Sequence, residues 1–384
     1  MHKRRFLKLL SAGVLGNAAG RPLRLFALDP VAAATSEVAE RSMATKHWMW
    51  VQPAREMGTD DEWKRRLEGW KGAGVDAILP EIFNNHQAHY GSDHLPVVRR
   101  WLEQLLPLAR EAGLEVHAWM HTMTCNIASV HEAHPDWFNV NGKGESSWEA
   151  PAYVDYYRFL CPSRPEVHEF LARRVRELAG YEELTGIHLD YIRHPDVILA
   201  SGLQPGYGIV QDREYPEYDY CYCDVCRNGF AAQSGLDPLE MDDPSASQAW
   251  RQYRCDLVTR IVNEHLVPIG RAAGKLMSAA VFPNWEHVRQ QWPVWDLDAV
   301  LPMLYHSFYE EDLAWVGEQV RKGVDSLAQK IPLYSGLFVP AIDPEDLAAA
   351  VAVSMENGAA GVCLFANNAM EEGHWKAFAA VGRG

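Results

Sequence analysis

From residue 46 onward, short apolar or aromatic runs alternate with amphipathic stretches, the pattern of a parallel sheet whose strands are joined by crossover helices. Eight runs read as strands, near 46–52, 75–82, 114–121, 186–191, 276–282, 298–304, 331–337 and 360–365. Between them, helices are expected over 60–71, 93–112, 165–180, 250–273, 311–327, 344–357 and 371–380, with only a short connection, 286–295, after the fifth strand. Thr59 ahead of Asp60, Asp61 and Glu62 marks a helix start, since carboxylates suit the positive end of the helix dipole, and Pro165 stands where a first-turn proline is tolerated. Gly74, Gly113 and Gly274 fall just before the second, third and fifth strands and read as helix C-caps, where a left-handed residue is needed.

Eight such units suit an α/β fold of (β/α)8 type, which uses roughly 250 residues before loop insertions. The expectation is one domain over 45–384 with two long insertions, 122–164 after the third strand and 192–249 after the fourth. Both leave the C-terminal end of a strand, so in a barrel they overhang the active-site face.

Composition narrows the function. The formal net charge of −15, with no basic run beyond the first residues, argues against nucleic acid as a partner. Fourteen Trp and fifteen Tyr supply flat amphipathic surfaces suited to sugar faces as well as to the core. The start differs from the rest: Lys3, Arg4 and Arg5, an apolar stretch over 9–19, and Ala32, Ala33 and Ala34 make residues 1–34 a signal peptide, similar to a twin-arginine signal. Export to the periplasm or beyond is the expectation. The apolar stretch falls short of the ~20 residues a spanning helix needs, so no transmembrane segment is expected in the mature chain.

Seven cysteines include Cys221, Cys223 and Cys226, which are too close together to satisfy disulfide geometry among themselves. Converging thiolates point to a structural zinc ion, with Cys161, Cys255 or an Asp or His as the fourth ligand. No cofactor is expected for catalysis.

The chemistry concentrates in the stretch from Gly186 to Pro195, GIHLDYIRHP, where period-two alternation puts His188 and Asp190 on one face of the fourth strand. A carboxylate there is costly unless it is used or paired, and Arg193 is its nearest potential neutraliser. This stretch resembles the bacterial family-10-like glycosylhydrolases, themselves distantly similar to alpha-amylase-type barrels. So do Cys161-Pro162 with the helix start at Pro165, Lys46 to Trp50, His117-Ala-Trp119 and Leu301 to Tyr305. The resemblance implies a TIM barrel, an oligo- or polysaccharide substrate, and Asp190 at the position of the strand-4 nucleophile. His188 departs from that pattern, which has an arginine two residues before the aspartate.

Glycosidic cleavage ordinarily takes two carboxyl groups. Glu81, at the end of the second strand in an apolar setting, is the best second candidate, as an acid. Glu286 is its rival. Trp48, Trp50, His117, Trp119, His121, His188, Arg193, Tyr305 and His306 are the candidate sugar contacts. Histidines at strand ends (His47, His117, His121, His188, His194, His306) keep open a metal-dependent amide or ester hydrolase, and a barrel that binds sugar without cleaving it is the other alternative.

Overall fold

The structure, a computed structural model, describes residues 45–53, 57–327 and 331–381. The expected signal segment, residues 1–34, lies outside them. Eight parallel strands, β1 (Trp48–Val51), β2 (Ala77–Phe83), β3 (Glu115–His121), β4 (Gly186–Asp190), β5 (Leu276–Val281), β6 (Ala299–Pro302), β7 (Tyr334–Phe338) and β8 (Gly361–Phe365), run in the order β6-β5-β4-β3-β2-β1-β8-β7. Parallel bridges from Val300 to Leu333 and from Met303 to Gly336 join the two ends, so the sheet closes into a (β/α)8 barrel. No helix among the described residues is long and apolar enough to cross a membrane.

Alternation divides each strand between two cores. Met49, Val51, Ile78, Val116, Ile187 and Leu189 point outward into the layer shared with the helices, whereas Trp48, Trp50, Leu79, Trp119, Leu301 and Tyr334 fill the barrel itself. Gly186 is required by that inner packing. A Cβ there would meet His117 Nδ1 at 2.3 Å and the Leu276 carbonyl at 2.6 Å. Gly186→Ala should therefore cost about 1–3 kcal/mol through overpacking. Chemical denaturation would measure it, and an unchanged midpoint would contradict this reading of the barrel interior.

The start signals hold. Thr59 accepts from the Glu62 N–H while Glu62 Oε2 accepts from the Thr59 N–H at 2.7 Å, a capping box for the helix Asp60–Gly72. Gly74, Gly113 and Gly274 have φ of 106°, 73° and 72°. Two expectations are corrected. The helix expected from 93 begins at Trp101, because Pro96 disfavours helical geometry at Leu95, and Ala88 instead bridges Phe83 and Val97. The helix expected over 250–273 is interrupted by a π-helical turn, Ile261–Leu266, just ahead of Pro268. The proline lacks an N–H and crowds the carbonyl four residues back, and the wider turn accommodates it. After β5 the crossover holds two 3₁₀ turns, Trp285–Val288 and Trp292–Val294, and no α-helix.

Candidate active site

Adjacent strands pair His121 with Asp190, and Trp119 with both Glu81 and His188, so the inward side chains near the strand ends meet in register. Beyond Asp190 the chain turns sharply: Tyr191 has φ of 50°, a left-handed conformation that a bulky aromatic residue rarely takes. Its N–H donates to Asp190 Oδ1 at 2.7 Å, and Trp119 Nε1 donates to Oδ2 at 3.0 Å. Both carboxyl oxygens are thereby oriented. Burial holds the Asp190 pKa above the ordinary aspartate value, against the opposing pull of His121 and of the two N–H donors.

His121, the register partner of Asp190, reaches across to Glu81. Its Nε2 lies 3.1 Å from Glu81 Oε1, and its Nδ1 lies 3.5 Å from Asn85 Nδ2. An amide nitrogen can only donate, so Nδ1 accepts and Nε2 carries the proton toward Glu81. Asn85 is also left-handed, with φ of 74°. With Tyr153, φ 61°, three residues of one cleft are left-handed, and such backbone strain is the kind of cost that persists where function uses it.

These groups form the floor of a cleft of about 780 Å³ with Trp50 and Tyr305. Tyr153, Tyr156 and Tyr157 from the insertion after β3 make one part of its wall, and Leu199, Leu203 and Tyr207 from the insertion after β4 make another. Burial and the neighbouring Asp190 charge push the Tyr305 hydroxyl well above the usual tyrosine range, so it remains a neutral donor.

Several expected contacts lie elsewhere. Trp48 and His117 face inward but one layer lower, their rings 4.2 Å apart and Trp48 also 4.7 Å from Tyr334. His188 is fully buried in the middle layer. Trp50 Nε1 donates to its Nε2 at 3.2 Å, which leaves Nδ1 to donate to Ser278 Oγ at 3.0 Å. Burial keeps that imidazole neutral. It holds Trp50 and does not line the cleft. Glu286 is exposed on a 3₁₀ turn beyond β5 and does not line the cleft, nor does His306. Period-two alternation gives the face of a residue and not its depth, which accounts for Trp48, His117 and His188, whereas Glu286 and His306 lie on turns beyond their strands, where that alternation does not apply.

Arg193 does line the cleft, but its ion pair is with Asp196, and it acts on Asp190 only through space. Its guanidinium donates to Asp196 Oδ2 at 3.0 Å, to the His194 carbonyl at 2.9 Å and to the Tyr157 hydroxyl at 3.2 Å. It also lies over the Phe282 ring at 4.8 Å. Removing one partner of so buried a pair leaves an uncompensated charge, so Asp196→Ala should destabilise the fold by about 3–5 kcal/mol. A loss below about 1 kcal/mol in urea unfolding, the size of an exposed pair, would show that the pair is not what holds this loop.

The strand-end histidines do not converge. His47 accepts from the Val362 N–H and packs on Phe378, His117 and His188 lie inside the barrel, and His194 is buried outside the cleft. Of the six, His121 alone lines the cleft.

Residues 75–343 match the glycosyl hydrolase-like 10 family. The chain belongs to that family. No curated protein matches it. Among solved structures it is similar to the glycoside hydrolase domain of PgaB (BpsB) from Bordetella bronchiseptica, at a TM-score of 0.67 and 15% identity over 88% of this chain and 98% of that one. It is also similar to the catalytic domain of beta-amylase from Paenibacillus polymyxa, at 0.62 and 12% over 88% and 98%. A beta-galactosidase from Marinomonas ef1 follows at 0.61 and 12%, with 88% of this chain matched to 59% of that one. At such identities the likeness establishes the barrel.

In this glycosyl hydrolase-like 10 protein, sequence reasoning missed Asn85, Asp196 and the tyrosine wall. The run Tyr153, Tyr156 and Tyr157 in a long insertion was the available signal, since aromatic residues crowded into a loop over the strand ends have little core to enter. Asn85 gave no signal, because its place beside His121 depends on the turn that follows β2.

Proposed function

We propose that this protein hydrolyses a glycosidic bond in an oligo- or polysaccharide, with Asp190 and Glu81 as the carboxyl pair. The observation that carries the reading is that both carboxyl groups line one aromatic cleft, Glu81 in contact with His121 and Asp190 on the strand paired in register with it. Membership of a glycosyl hydrolase-like family and structural likeness to three glycoside hydrolases support it. The dispersal of the other histidines favours it over a metal-dependent amide or ester hydrolase.

The geometry suggests roles opposite to those implied by the amylase-type pattern. Asp190 is the more deeply held group, and its raised pKa lets it keep a proton to higher pH than a free aspartate, as a donor to the leaving oxygen must. Glu81 accepts from His121 and serves as base or nucleophile. Tyr305 and the wall tyrosines hold the sugar, with faces stacked and hydroxyls at their rims. Export by residues 1–34 would place the cleft among periplasmic or extracellular glycans.

The test is release of new reducing ends across a broad glycan panel, with Asp190→Asn as control. Release that depends on Asp190 supports the proposal. Sugar binding by calorimetry without release from any member would replace it with the binding-barrel reading, and turnover abolished by chelation while the protease resistance of the two insertions is unchanged, then restored by added zinc or manganese, would replace it with the metal-hydrolase one.

A further inference from the structure

The insertion after β4 returns to the barrel through Cys221, Cys223 and Cys226, the last in the first turn of the helix Asp224–Ser234. The insertion after β3 ends at Cys161, just ahead of the helix Pro165–Ala179. The fold brings these four together. Their Sγ atoms all lie within 4.8 Å of one another, with Cys161 at 3.5 Å from both Cys223 and Cys226. All four are buried, in a cluster with Tyr220, Phe230, Trp250 and Tyr253. Cys255, the other cysteine considered as a ligand, is buried outside this group.

Four thiolates around one ion at about 2.3 Å form a tetrahedron with edges of roughly 3.8 Å. The observed separations bracket that value. Disulfides account for the cluster less well. A bridge needs sulfurs at about 2.05 Å, and pairing Cys161 with any one neighbour strands two more buried thiols in the same small space. The surroundings also suit thiolates: the Val140 N–H donates to Cys221 Sγ at 3.4 Å, and the Ser163 hydroxyl lies 3.0 Å from Cys226 Sγ.

We propose that Cys161, Cys221, Cys223 and Cys226 hold one zinc ion, which ties the two insertions into a single wall of the cleft. Each thiol gives up its proton on binding, and all four positions are filled by protein, so the site is structural and has no place for a substrate. The coupling to the cleft runs through Tyr153, whose ring stacks on Tyr218 at 4.5 Å and whose hydroxyl donates to the Asp196 carbonyl at 2.8 Å. Tyr218 lies three residues before Cys221. Without the ion, the segment that presents Tyr218 keeps the buried pairing of Asp219 with Arg254 and Arg289 but loses its tie to Cys161, and the wall loosens while the barrel stays folded.

The test uses the full chain purified without chelators. Elemental analysis should find about one zinc per chain, and X-ray absorption at the zinc edge should show four sulfur neighbours at about 2.3 Å. Cys223→Ser should lose most of the metal and be cleaved by protease between residues 196 and 245 roughly tenfold faster, with far-ultraviolet circular dichroism of the barrel retained. The absorption measurement on the unaltered protein decides the matter if that variant does not fold. Iron in place of zinc, oxygen or nitrogen neighbours, four free thiols without metal, or a disulfide at Cys221 or Cys226 by mass spectrometry would each overturn the proposal. None of these readouts depends on glycan hydrolysis, so the site can stand or fall separately from the proposed activity.

Discussion

Asp190→Asn is expected to lower kcat/KM by about 10²- to 10⁴-fold on any glycan the protein cleaves, the range typical of a lost general acid. The substitution keeps the side-chain size, but its amide nitrogen must face either the Tyr191 N–H or Trp119 Nε1, both of which now donate to carboxyl oxygens. One hydrogen bond is therefore lost, at about 1–3 kcal/mol for an unsatisfied buried donor. The fold should persist. The pH dependence follows from the same burial. The folded pKa of Asp190 is raised, so the proton-donating form is present below that value and is lost as pH rises through it. This predicts the alkaline limb of the kcat/KM profile. The same sign makes the folded state hold more protons than the unfolded one, so the contribution of Asp190 to stability declines as pH climbs from the ordinary aspartate value to the raised one. A folded Asp190→Asn variant within about threefold of the parent activity, far short of a general acid's contribution, would remove Asp190 from the mechanism.

Glu81→Ala should be comparably damaging, by about 10²-fold or more, and it distinguishes the two roles. A base or nucleophile attacks the anomeric carbon from the face opposite the leaving group, directly or through water. With an activated aryl glycoside, added azide should enter the space vacated by Glu81 and restore turnover, giving a glycosyl azide of inverted configuration. Retained configuration would exchange the roles of Glu81 and Asp190. Absence of rescue together with undiminished parent-like activity would exclude Glu81 and leave the second carboxyl group to another cleft acid, such as Asp196 or Asp155. Glu81→Gln separates charge from contact, because it keeps an oxygen that can accept from His121 Nε2 while losing the carboxylate.

The chain by itself determined the elements whose causes are local. The alternation of apolar runs set eight strands, and Thr59, Pro165 and the glycines at 74, 113 and 274 set where helices begin and end. Strand periodicity also put Asp190 and His188 on one face of the fourth strand, because side-chain direction along a strand depends on nothing beyond it. Depth is a different quantity. Whether an inward residue reaches the cleft or fills the barrel depends on the stagger between neighbouring strands, and that stagger placed His121 and Glu81 beside each other while sending His117 and His188 below. Tertiary structure likewise turned Arg193 from Asp190 to Asp196, since both acids lie within its reach along the chain and only the turn at Tyr191 selects between them. It chose Cys161 as the fourth sulfur from several candidates by bringing the ends of two insertions together across 60 residues of chain, from Cys161 to Cys221. Spacing along the sequence shows which groups a strand or turn presents. Closure of the barrel decides which of them meet, because the distances that matter to a carboxyl pair or a metal lie between elements far apart in the chain.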